Sequence, residues 1–436
     1  MPIDQHTIYL DNFRGFSDTY VPIADVNFMV GENSTGKTSL LSILKLVSSD
    51  SVLGENQFYR ESDDINLGTF HDIVSARSAN QNYFRIGMIR RNVEDSMPLG
   101  MLVTYERHEG VPMDTRFTCT FEDREIALRR VGRELHYRIH EKAITPETNI
   151  RALFAKWIEE QDRPNGGKDV RKFDFPLEPE QSLLFPLSLI AQSTMLGKSA
   201  LRGPVRLLPA NVFPPLTWIA PVRTKPRRTY DELRRGFSAE GTHTPYLIRK
   251  ILGTASEAKR FKRVIGKVGK ESGLFDSVYI KRFGPDVAAP FEVHIVLGRK
   301  SFNLTNVGYG VSQALPVLVE VLWRRPETWF AIQQPEVHLH PRAQAALGDL
   351  VFTLATTDKK GFLIETHSDF MIDRFRTNFR KKGSPKPKAQ VLFFERTGDR
   401  NRVTALQIDN NGEMPSEQPK AYRDFFLKET RRVLDI

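Results

Sequence analysis

The feature that most constrains the fold is a glycine-rich segment near the N-terminus. Residues 31–38, Gly-Glu-Asn-Ser-Thr-Gly-Lys-Thr, match G-x-x-x-x-G-K-[ST] between an apolar strand and an amphipathic helix. Glycines at both ends let the backbone N–H groups surround phosphate oxygens, and the helix N-terminus adds partial positive charge. The lysine reaches the β- and γ-phosphates, and the threonine hydroxyl can ligate Mg²⁺. The pattern predicts a nucleotide site rather than a turn that binds nothing, formed by Gly31, Glu32, Asn33, Ser34, Thr35, Gly36, Lys37, Thr38 and Ser39.

Periodicity along the chain indicates an α/β protein. Extended runs from about residue 84 to 139 predict an antiparallel β insertion, and residues 147–206 are predicted to be largely helical. A further helix is predicted over residues 245–270. Beyond residue 305, helices (311–323, 342–354) alternate with apolar strands (329–332, 361–364), which is typical of a partly parallel sheet. We therefore expect a nucleotide-binding lobe that is split between the two ends of the chain.

The net charge of +10 favours contact with polyanions. The excess lies in three basic clusters, which we interpret as a nucleic-acid face, with solvated helix faces as the alternative. The clusters are Arg223, Lys225, Arg227, Arg228, Arg234 and Arg235; Lys259, Arg260, Lys262, Arg263, Lys267 and Lys270; and Arg374, Arg376, Arg380, Lys381, Lys382, Lys386 and Lys388.

Composition excludes several other classes of protein. Cys119 is the only cysteine, so we expect no internal disulfide, no cysteine-built metal site and a reducing, cytoplasmic location. No apolar run reaches the roughly 20 residues of a membrane-spanning helix. The N-terminus does not have the pattern of a secretory signal.

Two segments near the C-terminus carry a family resemblance. Residues 329–341, Trp-Phe-Ala-Ile-Gln-Gln-Pro-Glu-Val-His-Leu-His-Pro, and residues 361–369, ending in Glu-Thr-His-Ser-Asp, are apolar strands that end in polar residues. With Asn-Phe-Arg-Gly-Phe at 12–16 and the segment 219–230, they make the chain resemble ABC-type ATPases of the SMC-like and OLD-like group, often called AAA ATPase domains. The resemblance covers most of residues 1–70 and 215–436.

The resemblance implies a P-loop NTPase of the ABC-ATPase head type that binds ATP and Mg²⁺. Its expected parts are an N-terminal ATPase part (1–70), a β-rich then helical insertion (71–205), a connecting strand with a basic helical lobe (206–305), and a C-terminal part (306–436). The last part would contain the signature helix, the Walker B strand, the D-loop at 337–341 and a switch histidine, His367.

The resemblance also implies a dimer, or a higher oligomer, that is closed by nucleotide. Residues 308–313 stand where the ABC signature stands, at the start of a helix that meets the γ-phosphate held by a second protomer. The serine usual in this motif is replaced by Gly308, so contact would rely on backbone N–H groups. The implied nucleotide contacts are Asn306, Gly308, Gly310 and Ser312.

Gln333 and Gln334 depart from the family pattern, which places at least one carboxylate here for Mg²⁺ and for the attacking water. Glutamine keeps the shape of the side chain but cannot accept a proton. We therefore expect hydrolysis to be slow or absent unless Glu336 or Glu365 substitutes. Either the protein is a natural slow switch, or the glutamine at 333 replaces a native glutamate to trap the ATP-bound dimer. The catalytic candidates are Gln333, Gln334, Glu336 and His367, and the Mg²⁺ ligands are Thr38 and Gln333.

A competing interpretation groups three histidines as a metal site. His338, His340 and His367 lie in short polar segments, and imidazole is a common zinc ligand. The family pattern already accounts for all three residues, and a packing role for His338 or His340 is a further alternative.

The remaining sequence favours an ATPase subunit that acts through another polypeptide. The residues after His367 contain no Asp-x-Asp pair, which the Toprim nuclease of OLD proteins needs, and no sustained heptads indicate long SMC arms. We expect a switch that senses or clamps nucleic acid and controls a separate nuclease, as in Septu-type and retron anti-phage systems. One alternative is a scaffold that binds only proteins and whose copies are held together by permanently bound ATP. The other is an SMC-like ATPase of the DNA-repair type. A transporter ATPase is disfavoured by the signature and His-Leu-His-Pro segments.

Overall fold

The computed structural model describes most of the chain, in two compact units. The described residues are 5–48, 67–91, 98–121, 124–141, 149–163, 170–173, 176–178, 181–184, 186–187, 189–190, 213–232, 236–286, 288–381, 383 and 385–425. The first unit comprises residues 1–24, 32–216 and 394–405, and the second comprises residues 25–31, 217–393 and 406–436.

Strands and helices alternate unevenly along the chain. The strands are β1 (Gln5–Asp11), β2 (Thr19–Ile23), β3 (Val26–Gly31), β4 (Tyr83–Arg91), β5 (Leu99–His108), β6 (Val111–Phe121), β7 (Arg124–Val131), β8 (Glu134–His140), β9 (Arg171–Phe173), β10 (Leu216–Ile219), β11 (Ser277–Arg282), β12 (Phe291–Leu297), β13 (Lys300–Asn303), β14 (Trp329–Gln333), β15 (Gly361–Glu365), β16 (Ala389–Thr397) and β17 (Arg400–Ile408). The helices are α1 (Lys37–Val47), α2 (Phe70–Ile73), α3 (Ile150–Asp162), α4 (Thr244–Leu252), α5 (Ala255–Ser272), α6 (Tyr309–Trp323), α7 (Pro341–Thr357) and α8 (Asp369–Thr377).

The first unit is built on an eight-stranded antiparallel sheet. Its strand order is β2-β1-β4-β5-β6-β7-β8-β9. Helix α3 begins where the Asn149 side chain accepts hydrogen bonds from two backbone N–H groups of its first turn. Its buried Phe154 and Trp157 pack with Tyr9 of β1. Gly87 of β4 permits this packing, because a Cβ there would lie 2.4 Å from the Phe154 ring.

The second unit contains a six-stranded sheet of order β10-β14-β15-β3-β16-β17. The far ends of β16 and β17, residues 394–405, belong to the first unit. Strands β14, β15 and β3 are parallel, with Ala331 opposite Leu363 and Leu363 opposite Asn27. All residues of these three strands are buried, which fits a parallel sheet that is covered on both faces.

Helices and a small antiparallel sheet complete the second unit. The sheet has the order β11-β12-β13. Helices α4 to α8 share one hydrophobic core with strands β14, β15 and β3. Helix α6 is buried along most of its length, whereas α5 is amphipathic and buries Phe261, Ile265 and Val268.

The predicted α/β class is confirmed, as are the strands of the β insertion and the C-terminal alternation of helices and strands. The helix predicted over 245–270 is interrupted, because α4 ends at Leu252 and α5 begins at Ala255. The intervening Gly253 and Thr254 lower the helix propensity at that point. Residues 191–206 of the region predicted to be largely helical, and its loop at 165–169, lie outside the described residues.

The sequence did not predict which strands would share a sheet. Strand β1 pairs with β4 over seven positions, from Gln5 opposite Arg91 to Asp11 opposite Arg85. The N-terminal strands β1 and β2 therefore lie in one sheet with the β-rich region, while β3 lies in the other sheet. Among the described residues, no helix is both long and apolar enough to cross a membrane.

Candidate functional site

The glycine-rich loop joins β3 to α1 through two left-handed residues. Ser34 has φ 62° and Gly36 has φ 100°, so the chain turns back before the helix begins. Gly36 is the N-cap of α1, and no described side chain caps that helix end. A helix N-terminus without a side-chain cap retains its partial positive charge for an external anion.

The lysine of the motif is held inside the loop. Lys37 is only 3% exposed, and its Nζ donates to the Glu32 carbonyl at 2.7 Å. The Thr35 hydroxyl donates to the same carbonyl at 2.7 Å. A Cβ on Gly36 would lie 2.4 Å from the Phe16 ring, so only glycine fits there. The donor set, an ammonium beside an uncapped helix end, suits the phosphates of a nucleotide.

The other predicted loop residues present their side chains to solvent. Glu32, Asn33, Ser34 and Thr38 are exposed, and Ser39 is half-buried. The exposed Thr38 hydroxyl has the chemistry that Mg²⁺ prefers.

Two arginines that the sequence did not single out are bound to this loop within the first unit. Arg396 donates to the Ser34 carbonyl at 3.0 Å. Arg14 reaches the Ser39 hydroxyl at 3.5 Å and donates to the Leu67 carbonyl at 2.8 Å. The Asn-Phe-Arg-Gly-Phe motif was the available signal for Arg14, whereas Arg396 lies near the end of β16 with no motif around it.

In the second unit, Gln333 and Glu365 end two adjacent parallel strands. Their backbones are register partners, and the Gln333 Nε2 donates to the Glu365 Oε2 at 2.9 Å. The Gln334 N–H donates to the Glu365 carbonyl at 2.7 Å. A glutamate at 333 would bring two carboxylates together here, which needs a cation or a shared proton between them. The amide therefore fits this position without any bound ion.

Glu336 is buried two residues beyond the glutamines. Its Oε1 accepts from the His367 backbone N–H at 2.6 Å, so it links the 333–336 segment to His367. Its Oε2 is buried and has no hydrogen-bond partner among the described residues. Burial raises the pKa of the Glu336 carboxyl, against the opposing effect of these hydrogen bonds and of the Arg223 charge.

Arg223 lies under the same segment and was missed as a site residue. Its Nη2 donates to the Gln333 carbonyl at 2.9 Å and to the Gln334 carbonyl at 3.4 Å. Burial lowers the pKa of its guanidinium to about 10, so the group remains charged at neutral pH. The assignment of Arg223 to a polyanion face is wrong, because the side chain is 2% exposed and cannot meet a large ligand.

The three histidines do not form a metal centre in the described part of the chain. His338, His340 and His367 are exposed, and no metal-ligand cluster includes them. The His338 ring meets Tyr309 edge-on at 4.8 Å, and His340 caps α7 by accepting the Arg342 N–H at 3.3 Å. His338 therefore packs against Tyr309 at the surface rather than in the core, and His340 acts as a helix cap.

The signature segment starts α6, as the resemblance implies. Gly308 is the N-cap and no described side chain caps this helix end. Asn306, Gly308 and Tyr309 are exposed, whereas Ser312 is buried and its hydroxyl donates to the Tyr309 carbonyl at 2.8 Å. A Cβ on Gly310 would lie 2.5 Å from the His338 carbonyl. The signature and the D-loop segment are therefore direct neighbours.

The three basic clusters differ in exposure and in how many of their charges already form ion pairs. All six cluster residues of α5 are exposed, and Lys267 forms an ion pair with Glu271. In the third cluster Arg374 pairs with Asp349, while Arg376 and Arg380 pair with Glu413. In the first cluster Lys225, Arg227 and Arg228 are exposed. Arg234, Arg235 and Lys382 lie outside the described residues.

Family models match two segments of the chain. Residues 3–89 match the model described as "AAA ATPase domain", and residues 231–373 match the model described as "AAA domain, putative AbiEii toxin, Type IV TA system". No curated protein matches the chain significantly. The glycine-rich loop lies in the first matched segment, and residues 333–367 lie in the second.

Several solved structures are similar to this chain at low identity. An SMC head bound to the C-winged helix domain of ScpA has 13% identity, covers 92% of this chain and 97% of that chain, and gives a TM-score of 0.45. The SMC head domain from Thermotoga maritima has 11% identity, covers 93% of this chain and 99% of that chain, and gives a TM-score of 0.41. A third structure is a Smc head domain with an extended coiled coil, bound to the C-terminal domain of ScpA and derived from Pyrococcus furiosus. It has 12% identity, covers 99% of this chain and 99% of that chain, and gives a TM-score of 0.40.

The buried Glu336 carboxyl predicts a pH-dependent stability. A raised pKa means that the folded state keeps this proton to a higher pH than the unfolded state, so the unfolding free energy falls as pH rises above about 4.5. Glu336→Gln keeps an acceptor for the His367 N–H and removes this pH-dependent decrease in the unfolding free energy. We expect the unfolding free energy of the variant, relative to that of wild type, to increase as the pH rises above about 4.5.

Urea unfolding at several pH values measures this difference. Glu327→Gln is the matched control, because Glu327 is exposed in the same unit. A Glu336→Gln variant whose relative stability does not change with pH would contradict the burial argument.

Proposed function

We propose that the chain is an ATP-binding switch that closes on nucleotide with a second copy, contacts nucleic acid and controls a separate nuclease or other effector in bacterial anti-phage defence. The observation that carries the proposal is the phosphate loop, in which the Lys37 ammonium lies 2.7 Å from the Glu32 carbonyl at an uncapped helix end. An almost fully buried ammonium that donates to a neutral carbonyl is suited to a phosphate anion.

Nucleotide would be held by the glycine-rich loop, with the backbone N–H groups of residues 31–38 and the Lys37 ammonium on the phosphates. The exposed Thr38 hydroxyl would hold Mg²⁺, and that ion, when bound, would neutralise part of the phosphate charge. A hydroxyl is a neutral ligand, so it would hold Mg²⁺ less tightly than a carboxylate would.

A second copy would complete the site through the signature segment. Gly308 has φ −55°, an ordinary value for any residue, and a Cβ there would meet nothing within 4 Å. Neither backbone conformation nor packing in one copy therefore requires glycine at 308. Close approach of a nucleotide that is bound to another copy supplies a reason, and the neighbouring Gly310 and His338 place the D-loop segment at the same surface.

Hydrolysis would be slow because neither Gln333 nor Gln334 can accept a proton from the attacking water. The Gln333 amide is neutral and donates to Glu365. Glu336 has one oxygen bonded to the His367 N–H. A positioned general base contributes about 10²–10⁴-fold to such reactions, so turnover should be low as the sequence stands.

Nucleic acid would be contacted by the basic face of α5. Within the described part of the chain, Lys267 is the one member of its six-residue cluster that forms an ion pair, so the other five can replace counterions along a phosphate backbone. Two of the acidic residues after His367 have structural contacts: Asp409 accepts two N–H groups of its own turn, and Glu413 pairs with Arg376 and Arg380. The nuclease of this proposal would be another polypeptide. The toxin named by the family model at residues 231–373 supports a defence role.

Lys37→Ala tests the phosphate loop. We expect ATP affinity to fall at least about tenfold, because a hydrogen bond to a charged group contributes about 1.5–3 kcal/mol, and ATP-dependent self-association to disappear. Fluorescent-nucleotide titration and light scattering with and without ATP measure the two effects. Lys300→Ala, at an exposed lysine, is the control. Unchanged binding and association in a folded Lys37→Ala protein would overturn the proposal.

Gln333→Glu tests whether the missing carboxylate limits turnover. We expect phosphate release with Mg²⁺ to rise about 100-fold or more over wild type, as expected for restoring a catalytic carboxylate. Gln407→Glu, an exposed substitution on β17, should leave the rate unchanged. If the Gln333→Glu protein binds ATP without hydrolysing it, the nucleotide is instead a permanently bound structural ligand that holds a protein scaffold together.

Removing three charges from α5 tests the nucleic-acid face. For Lys259→Ala, Arg263→Ala and Lys270→Ala combined, we expect weaker binding of duplex DNA. The slope of log affinity against log salt should be shallower by about 0.9 for each DNA phosphate that the variant no longer neutralises. Arg374→Ala with Arg380→Ala is the control, since both arginines are already ion-paired. Binding that is equally salt-dependent in the triple variant would refute this assignment.

A further inference from the structure

Three side chains of the first unit converge away from the glycine-rich loop. Glu125 lies on β7, His140 ends β8, and Glu160 lies in the last turn of α3. One ligand atom from each residue lies within 4.8 Å of those from the other two. None of these residues belongs to a motif of the nucleotide site.

Strand register and helix packing bring the three residues together. Glu125 and His140 are direct partners across the antiparallel β7–β8 pair, so their side chains leave the sheet on the same face. Helix α3 is fixed against that face by Trp157, whose indole N–H donates to the Glu125 Oε2 at 2.8 Å. Glu160 follows Trp157 by three residues and so lies on the same side of the helix.

Each residue of the cluster offers an atom without a hydrogen-bond partner among the described residues. These atoms are the Glu125 Oε1, the His140 Nε2 and the Glu160 Oε2, and all three are buried. The Glu125 residue is 0% exposed. Buried polar atoms are nearly always paired in folded proteins, so three that face one another indicate a missing positive partner.

The surroundings of Glu125 orient it toward that point. Its other oxygen, Oε2, is held by the Trp157 indole and by the Lys156 ammonium at 3.0 Å. Outer contacts of this kind fix the orientation of carboxylates that bind metals. Two carboxylates and one ammonium leave a net negative charge, which a dication would reverse.

We infer that Glu125, His140 and Glu160 bind a divalent transition-metal ion, with Zn²⁺ as the representative. Two carboxylates and one imidazole suit Zn²⁺, Mn²⁺ or Fe²⁺ better than Ca²⁺ or Mg²⁺, which prefer oxygen ligands alone. Three protein ligands leave at least one position for water. Glu160 also lines a cavity of about 220 Å³. The ion would cross-link α3 to the β7–β8 pair.

A shared proton is the competing explanation for the two carboxyl groups. Burial, and then the Glu125 charge, raise the pKa of the Glu160 carboxyl. Protons between the carboxyl groups and on the His140 Nε2 would satisfy the three atoms without a metal ion. The two explanations differ in whether the isolated protein takes up a stoichiometric metal ion.

The test uses the full chain without nucleotide, stripped with a chelator and dialysed against Zn²⁺ or Mn²⁺. We expect one tightly bound equivalent per chain by elemental analysis, and a higher unfolding temperature with metal. Glu160→Gln and His140→Ala should each weaken binding at least tenfold in competition with a chromophoric chelator. His136→Ala on the same strand, where His136 contacts the exposed Glu134, is the matched control and should bind as wild type does.

A spectroscopic measurement keeps the inference testable if a variant fails to fold. X-ray absorption of the Zn²⁺-loaded wild-type protein should show nitrogen and oxygen ligands with one imidazole and no sulfur. Absence of a stoichiometric ion, equal binding by Glu160→Gln and wild type, or a metal shell without imidazole would each overturn the assignment. The first outcome would leave the shared proton as the explanation.

Discussion

The parallel pairing of β14, β15 and β3 is the constraint on which the second unit depends. Parallel strands end at the same edge of a sheet, and polar groups gather beyond their carboxyl ends. Gln333 is opposite Glu365, and Glu365 is opposite Met29, two residues before Gly31. The Thr366 N–H then donates to the Met29 carbonyl. One pattern of backbone hydrogen bonds thus fixes the neighbours of the two glutamines and the point at which the glycine-rich loop starts.

Electrostatics at this edge explain how two glutamines are accommodated. Arg223 supplies a buried positive charge that is directed at backbone carbonyls, and Glu336 supplies a buried negative charge that is directed at a backbone N–H. With Gln333 neutral, the described charges near this edge are Arg223, Glu336 and Glu365. A glutamate at 333 would add a negative charge beside Glu365, so it would fit only with Mg²⁺ or a proton present. The amide therefore fits this segment with neither nucleotide nor Mg²⁺ bound.

Much of the fold could be predicted, because it depends on local patterns. The glycine-rich loop, the extended runs of the β insertion and the C-terminal alternation each follow from residue periodicity. The pairing of β1 with β4 could not be predicted, since register between distant strands leaves no local signal. The burial of Arg223 was missed for a related reason. The segment 219–230 is rich in proline and arginine, and composition there suggests exposure, whereas the carbonyls of residues 333 and 334 decide the outcome.

Buried polar atoms without partners among the described residues occur in both units, and the surrounding charge distinguishes the two cases. In the second unit the unpartnered Glu336 Oε2 is accompanied by the unpartnered Nε and Nη1 of Arg223, and the two charges attract each other. Opposite charges compensate each other there without an added ion. In the first unit, the unpartnered atoms are two carboxylate oxygens and an imidazole nitrogen, and Lys156 already binds the other oxygen of Glu125. Two carboxylates and one imidazole do not compensate each other's charge, whereas a divalent ion bound to all three atoms would. This difference in charge separates a self-contained pair from a site for an ion.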